Sequence, residues 1–177
     1  MFIHTYWTKR LLTAGTVCLL LCCSSVGLSR AQAKRQNDLA KIAQSFLGKW
    51  VGKGNLPSGE TFVSELIFEW TLNKNFIKVT NNVSAGQHSG LFATTFYGWQ
   101  PVLQQVVFWS FDSEGTINEG AARFEGNELK HEWRSFGQNG EIRDWRSTLA
   151  KNDANTLTFT VTESGSQPVT VVYKRKK

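Results

Sequence analysis

The spacing of apolar positions changes once along this chain. Over residues 38–47, Leu39, Ile42, Ala43, Phe46 and Leu47 recur every three or four residues, which predicts a helix with one apolar face. Asp38 is placed to cap its start and Gly48 to stop it. After Gly48 the period becomes two. From Phe62 to Leu72 the even positions Phe62, Leu66, Phe68, Trp70 and Leu72 are apolar, while Glu60, Glu65, Glu69 and Thr71 fall off that phase. This alternation predicts a strand with one buried face, and it places Glu65 and Glu69 on the outer one. Further strands are predicted over 49–54, 76–84, 91–100, 106–112, 116–125, 128–136, 142–151, 156–163 and 169–175. Turn residues separate them: Asn73-Lys74-Asn75, a loop from Ala85 to Gly90 that carries His88, and Asp112-Ser113-Glu114-Gly115.

About ten strands joined by short links pair antiparallel in up-and-down order. An open sheet of that length has two unpaired edges. Closure removes them and leaves an interior wide enough for side chains or a small ligand. The expected fold is therefore all-β: a roughly ten-stranded antiparallel barrel with one short N-terminal helix at its end. An open sandwich is the competing architecture.

Composition changes this picture mainly at the N-terminus. Lys9-Arg10, an apolar run from Leu11 to Leu28, and Ala31-Gln32-Ala33 follow the order of a secretory signal peptide. The alternative, a retained membrane anchor, is disfavoured because the dense apolar core of the run is short for a span. The chain thus reads as a signal peptide over 1–33 and one domain over 34–177, exported to the periplasm or the extracellular space. All three cysteines (Cys18, Cys22, Cys23) lie in the signal, so the domain has to stand on its core without disulfides. Six of the seven tryptophans lie in the domain and can supply that core. Lys9, Arg10 and Arg30 also belong to the signal, which lowers the net charge from +6 to +3. With four of the remaining cations in the tail 174–177 there is no basic stripe for nucleic acid.

Gly48-Lys49-Trp50 followed by Gly52-Lys53-Gly54 resembles the opening strand of the calycins, the group of lipocalins, fatty-acid-binding proteins and haem-binding nitrobindins. Phe68-Glu69-Trp70-Thr71-Leu72, the segment Phe108 to Gly115, and Val172-Tyr173-Lys174-Arg175 are more similar to a family of exported bacterial barrel domains of unknown function. The likeness implies a barrel and leaves the activity open. By the lipocalin pattern, Gly48 and Trp50 close the barrel floor, with a cation from Lys174 or Arg175 stacked on the indole. Nitrobindins take their iron ligand from a histidine near the C-terminus. No histidine follows His131 here, so haem is not expected, nor any other cofactor.

Candidate chemistry is sparse. The domain has two histidines and no cysteine, too few for a metal site, and no Gly-x-Ser-x-Gly nucleophile elbow. Glu65 to Trp70 recurs loosely as Glu128 to Trp133, which puts His131 in the slot of Phe68, on the inward phase with Leu129 and Trp133. Along 142–151 the phase of Trp145 and Leu149 also holds Arg143. An inward Arg143 would meet a ligand carboxylate. An outward one would pair with Glu132 or Asp144. The expected ligand-binding set is Trp70, Trp99, His131, Trp133 and Arg143, around a small apolar or amphipathic ligand that is not transformed. Two other readings stay open: a packed, ligand-free interaction module, and an isomerase or hydrolase with His131 as base and Arg143 as anion stabiliser.

Overall fold

The computed structural model of the protein describes residues 38–56 and 58–177. The signal-peptide reading of 1–33, its cysteines and the polar lead-in of 34–37 fall outside the described residues. Helix α1 covers residues 38–46 and ten strands follow: β1 (Gly48–Asn55), β2 (Thr61–Thr71), β3 (Phe76–Ala85), β4 (His88–Gln100), β5 (Gln105–Asp112), β6 (Ile117–Glu125), β7 (Glu128–Phe136), β8 (Ile142–Asp153), β9 (Thr156–Glu163) and β10 (Val169–Lys176). Each strand pairs antiparallel with its neighbour in sequence, and β1 pairs with β10, so the sheet closes. The barrel is the expected one, and the open sandwich is ruled out.

Two local expectations fail. Leu72 does not continue the inward phase of β2. It opens the β2–β3 turn with φ of 48° and is 65% exposed, because three successive residues there adopt left-handed backbone. His88 is not in a loop. It begins β4 opposite Ala85, and Gly86-Gln87 alone make the connection. The serine- and glycine-rich composition of that hairpin hid strand residues that keep the ladder through backbone groups.

The pleat sends alternate residues inward. Trp50, Phe68, Ile77, Val79, Val106, Leu129, Leu149, Leu157, Val171 and Tyr173 are all buried and form one core. Helix α1 caps the end of the barrel where β1 begins, burying Leu39, Ile42, Ala43 and Phe46. The Phe46 ring stacks on Phe124 at 6.1 Å and tilts against Phe68 at 5.8 Å. Burying Phe46 removes a large aromatic surface from water, worth about 2–3 kcal/mol.

The joint between helix and barrel is a polar knot around Trp50. Its indole Nε1 donates to the Phe46 carbonyl at 2.7 Å. The Arg175 guanidinium lies 4.0 Å from the centre of the Trp50 ring and donates to the carbonyls of Leu47 (2.8 Å) and Ala154 (3.1 Å). The stacking cation is thus Arg175; Lys174 instead donates to Thr156 Oγ1. Gly48 makes this possible. Its φ is 113°, and a Cβ there would stand 2.8 Å from Arg175 Nη1.

Candidate functional site

The interior away from α1 is not filled. A cavity of about 480 Å³ runs from Phe68 and Leu149 up to a mouth at the β5–β6 and β7–β8 turns, where Glu114, Thr116, Gly137 and Glu141 line it. Strand register sorts one wall into layers. Towards the mouth, Thr95, Ser110, Asn118, Ser135 and Arg143 are successive cross-strand partners on β4 to β8. Below them Tyr97, Phe108, Gly120, Trp133 and Trp145 form the next row. A polar row over an aromatic shelf suits an amphipathic guest.

The aromatic shelf is tightly interlocked. Phe108 meets Trp133 edge-on at 5.9 Å and His131 edge-on at 5.5 Å, and Trp133 stacks on Trp145 at 6.0 Å with planes 9° apart. Gly120 directly faces Trp133, and a Cβ on Gly120 would occupy the space of the Trp133 Cβ and the Glu132 carbonyl. The missing side chain is what lets the indole lie against the wall.

His131 is buried, with Nε2 3.0 Å from the Tyr97 hydroxyl and Nδ1 3.1 Å from Ser147 Oγ. Burial pushes its pKa down to about 4, so the imidazole is neutral at pH 7. Burial also raises the Tyr97 phenol well above its ordinary value, so that group stays protonated. A second relay crosses the opposite wall: the Tyr173 hydroxyl donates to Ser64 Oγ at 2.9 Å, and Ser64 donates to Asn81 Oδ1 at 2.8 Å. Trp145 Nε1 donates to Ser135 Oγ at 3.0 Å, and Thr95 donates to Ser110 at 2.8 Å. Among the described residues, the deep cavity therefore holds polar groups but no ionised one. Among the described residues no three histidine, cysteine, aspartate or glutamate side chains gather as a metal site would require.

No family model matches the chain, and no curated protein matches it. Among solved structures it is similar to the crystal structure of Rv2717c from M. tuberculosis, at 14% identity over 78% of this chain and 98% of that one, with a TM-score of 0.52. It is also similar to a de novo designed fluorescence-activating β-barrel (14% identity, 77% and 98% covered, TM-score 0.42). A third likeness is to EF1p2_mFAP2b bound to DFHBI (10% identity, 78% and 99% covered, TM-score 0.43). At such identity the likeness to Rv2717c is one of fold.

The five residues expected to bind ligand divide. His131, Trp133 and Arg143 line the cavity; Trp70 and Trp99 do not. Both of the latter point inward but pack against the core at the α1 end of β2 and β4. Strand phase gives the facing of a side chain, whereas its depth depends on strand tilt and register, which periodicity does not encode. Arg143 is on the inward phase at the rim, with its side chain about half exposed and its Nε 3.7 Å from Glu163. The outward pairing with Glu132 or Asp144 does not form; Glu132 is held by Arg123 at 3.3 Å. Glu65 and Glu69 are on the outer face, paired with Lys176 and Lys78. Tyr97, Ser147, Asn81 and Ser135 were absent from the expected set. Their signal was an inward polar residue in an otherwise apolar phase, visible only once the phase of every strand is known.

Proposed function

We propose that this protein is an exported carrier or receptor that binds a small planar, amphipathic molecule in the barrel and does not transform it. The observation that carries the reading is the cavity itself: about 480 Å³, with an aromatic shelf inside and a polar row at the mouth. That volume lies within the usual range for small-molecule sites. A structural or interaction module would gain most stability from a filled interior. Catalysis by His131 with Arg143 finds little support. The two lie on inward positions separated by four residues of strand register, about 13 Å at 3.3 Å per residue. Both imidazole nitrogens are moreover engaged by Tyr97 and Ser147. The same engagement leaves no imidazole nitrogen aimed at the cavity, so the site does not suit haem ligation.

Export rests on the order of charged, apolar and small residues in 1–33. Expression of the full chain in a bacterial host, with N-terminal sequencing of the envelope fraction, should give a protein starting at Lys34. Full-length protein in the cytosol would overturn it. Ligand binding is tested by incubating the purified protein with an envelope lipid extract and recording native mass spectra. A bound species of small mass is expected, with a change in tryptophan emission as Trp133 and Trp145 are covered. A clean apo mass, with emission unmoved by every amphiphile tried, would refute the reading.

A further inference from the structure

The polar groups of the cavity have more protons than partners. Ser64 is fully buried and receives the Tyr173 proton, so its own proton goes to Asn81 Oδ1. That bond orients the carboxamide. Turning the amide over would put an N–H against Ser64, which already accepts from Tyr173, and leave the proton of the buried Ser64 hydroxyl without an acceptor. The Asn81 Nδ2 group, lining the cavity, consequently has two N–H donors and no acceptor among the described residues. Ser135 accepts from an indole N–H and Ser110 accepts from Thr95, so each hydroxyl keeps its proton for the cavity. The Tyr97–His131–Ser147 relay adds one more. A neutral imidazole has a single N–H, so two hydroxyl protons and one ring proton fill two hydrogen bonds, and one hydroxyl proton is left over whichever tautomer forms. Arg143 at the rim donates only.

Unpaired donors are costlier to enclose than underused lone pairs, so a guest that displaces water from this cavity has to bring acceptors. Charge is a separate matter. Among the described residues no ionised group lies in the deep cavity, and the mouth carries Asp112, Glu114 and Glu141 against Arg143. An anion meets that mouth unfavourably, and any ion gives up its hydration inside. We infer that the ligand is a neutral planar molecule with a carbonyl or equivalent acceptor, its ring on the Trp133–Trp145 shelf and its acceptor against Asn81, Ser135 and their neighbouring donors. This rests on the cavity being a binding site, as proposed above, and names the chemical class it takes.

Four naphthalene probes of similar shape separate the possibilities: acetylnaphthalene (a neutral acceptor), isopropenylnaphthalene (its hydrocarbon counterpart), naphthoate and naphthylmethylammonium. Affinities are measured by quenching of tryptophan emission and by isothermal titration calorimetry. The ketone should bind about tenfold more tightly than the alkene, the worth of about one net hydrogen bond, and more tightly than either ion. Asn81→Asp keeps the acceptor for Ser64 but replaces the free donor by a carboxylate oxygen, and should reverse the order of ketone and ammonium. Asn118→Leu removes a cavity amide with no side-chain hydrogen bond among the described residues, so it keeps the test open should Asn81→Asp not fold; the ketone's advantage should shrink. Equal binding of ketone and alkene, tighter binding of either ion, or an unchanged order in Asn81→Asp would overturn the inference while leaving a binding cavity intact. Failure of all four probes to bind would overturn the binding reading as well.

Discussion

Replacing Gly48 by alanine tests the joint between helix and barrel. The backbone at this position has φ of 113°, where an L-residue is strained by about 1–3 kcal/mol. The new Cβ would also stand 2.8 Å from Arg175 Nη1. The guanidinium cannot yield freely, since it is held over Trp50 at 4.0 Å and by the Leu47 carbonyl at 2.8 Å. Displacing it forfeits a cation–π contact of about 0.5–2 kcal/mol and a charge-assisted hydrogen bond of about 1.5–3 kcal/mol. Gly48→Ala should thus cost about 3–8 kcal/mol, a large part of the roughly 5–15 kcal/mol by which domains are stable. Urea unfolding followed by tryptophan emission reads the loss. Arg175→Ala isolates the clash. In that background the clash is gone and Gly48→Ala should cost only the backbone strain, giving a coupling of about 2–5 kcal/mol in the double-mutant cycle. Additive losses, or a Gly48→Ala variant within about 0.5 kcal/mol of the parent, would refute the account.

Other consequences follow from the same packing. His131 is held at a pKa of about 4, below its unfolded value of 6.5, so the unfolded chain takes up a proton first. Its contribution is complete above pH 6.5 and is lost as pH falls towards 4, at up to about 1.4 kcal/mol per pH unit. Urea midpoints from pH 7 to 4.5 should fall in the parent and fall less in His131→Gln; parallel profiles would sink this. Ser135→Ala removes the acceptor of the Trp145 indole and should destabilise by about 1 kcal/mol, the lower end for an orphaned donor beside a cavity, with a shifted tryptophan emission. Gly120→Ala should displace Trp133, weaken binding of any shelf ligand and cost about 1–3 kcal/mol; calorimetry showing unchanged binding would contradict the role given to Gly120. Lys78→Met, which breaks an exposed pair with Glu69, should change the unfolding free energy by less than about 0.5 kcal/mol.

What the sequence determined by itself was the kind of object this is. A single change from a 3.6 to a 2.0 period, with turn residues at each break, is enough to specify one helix and ten strands. Short links then leave antiparallel neighbours as the only simple pairing. Gly48, Trp50 and the late cation were legible too, because their spacing resembles a known barrel floor. Phase likewise placed His131 and Trp133 inside. Depth was another matter. Trp70 and Trp99 share the inward phase yet pack against the core towards the α1 end, and Arg143 meets Glu163, a residue twenty positions away that no local pattern connects to it. The cavity, its rows and its unpaired donors arise from how tilted strands register around a closed sheet. That register is set by cooperative packing of all ten strands, and no local stretch of the chain encodes it.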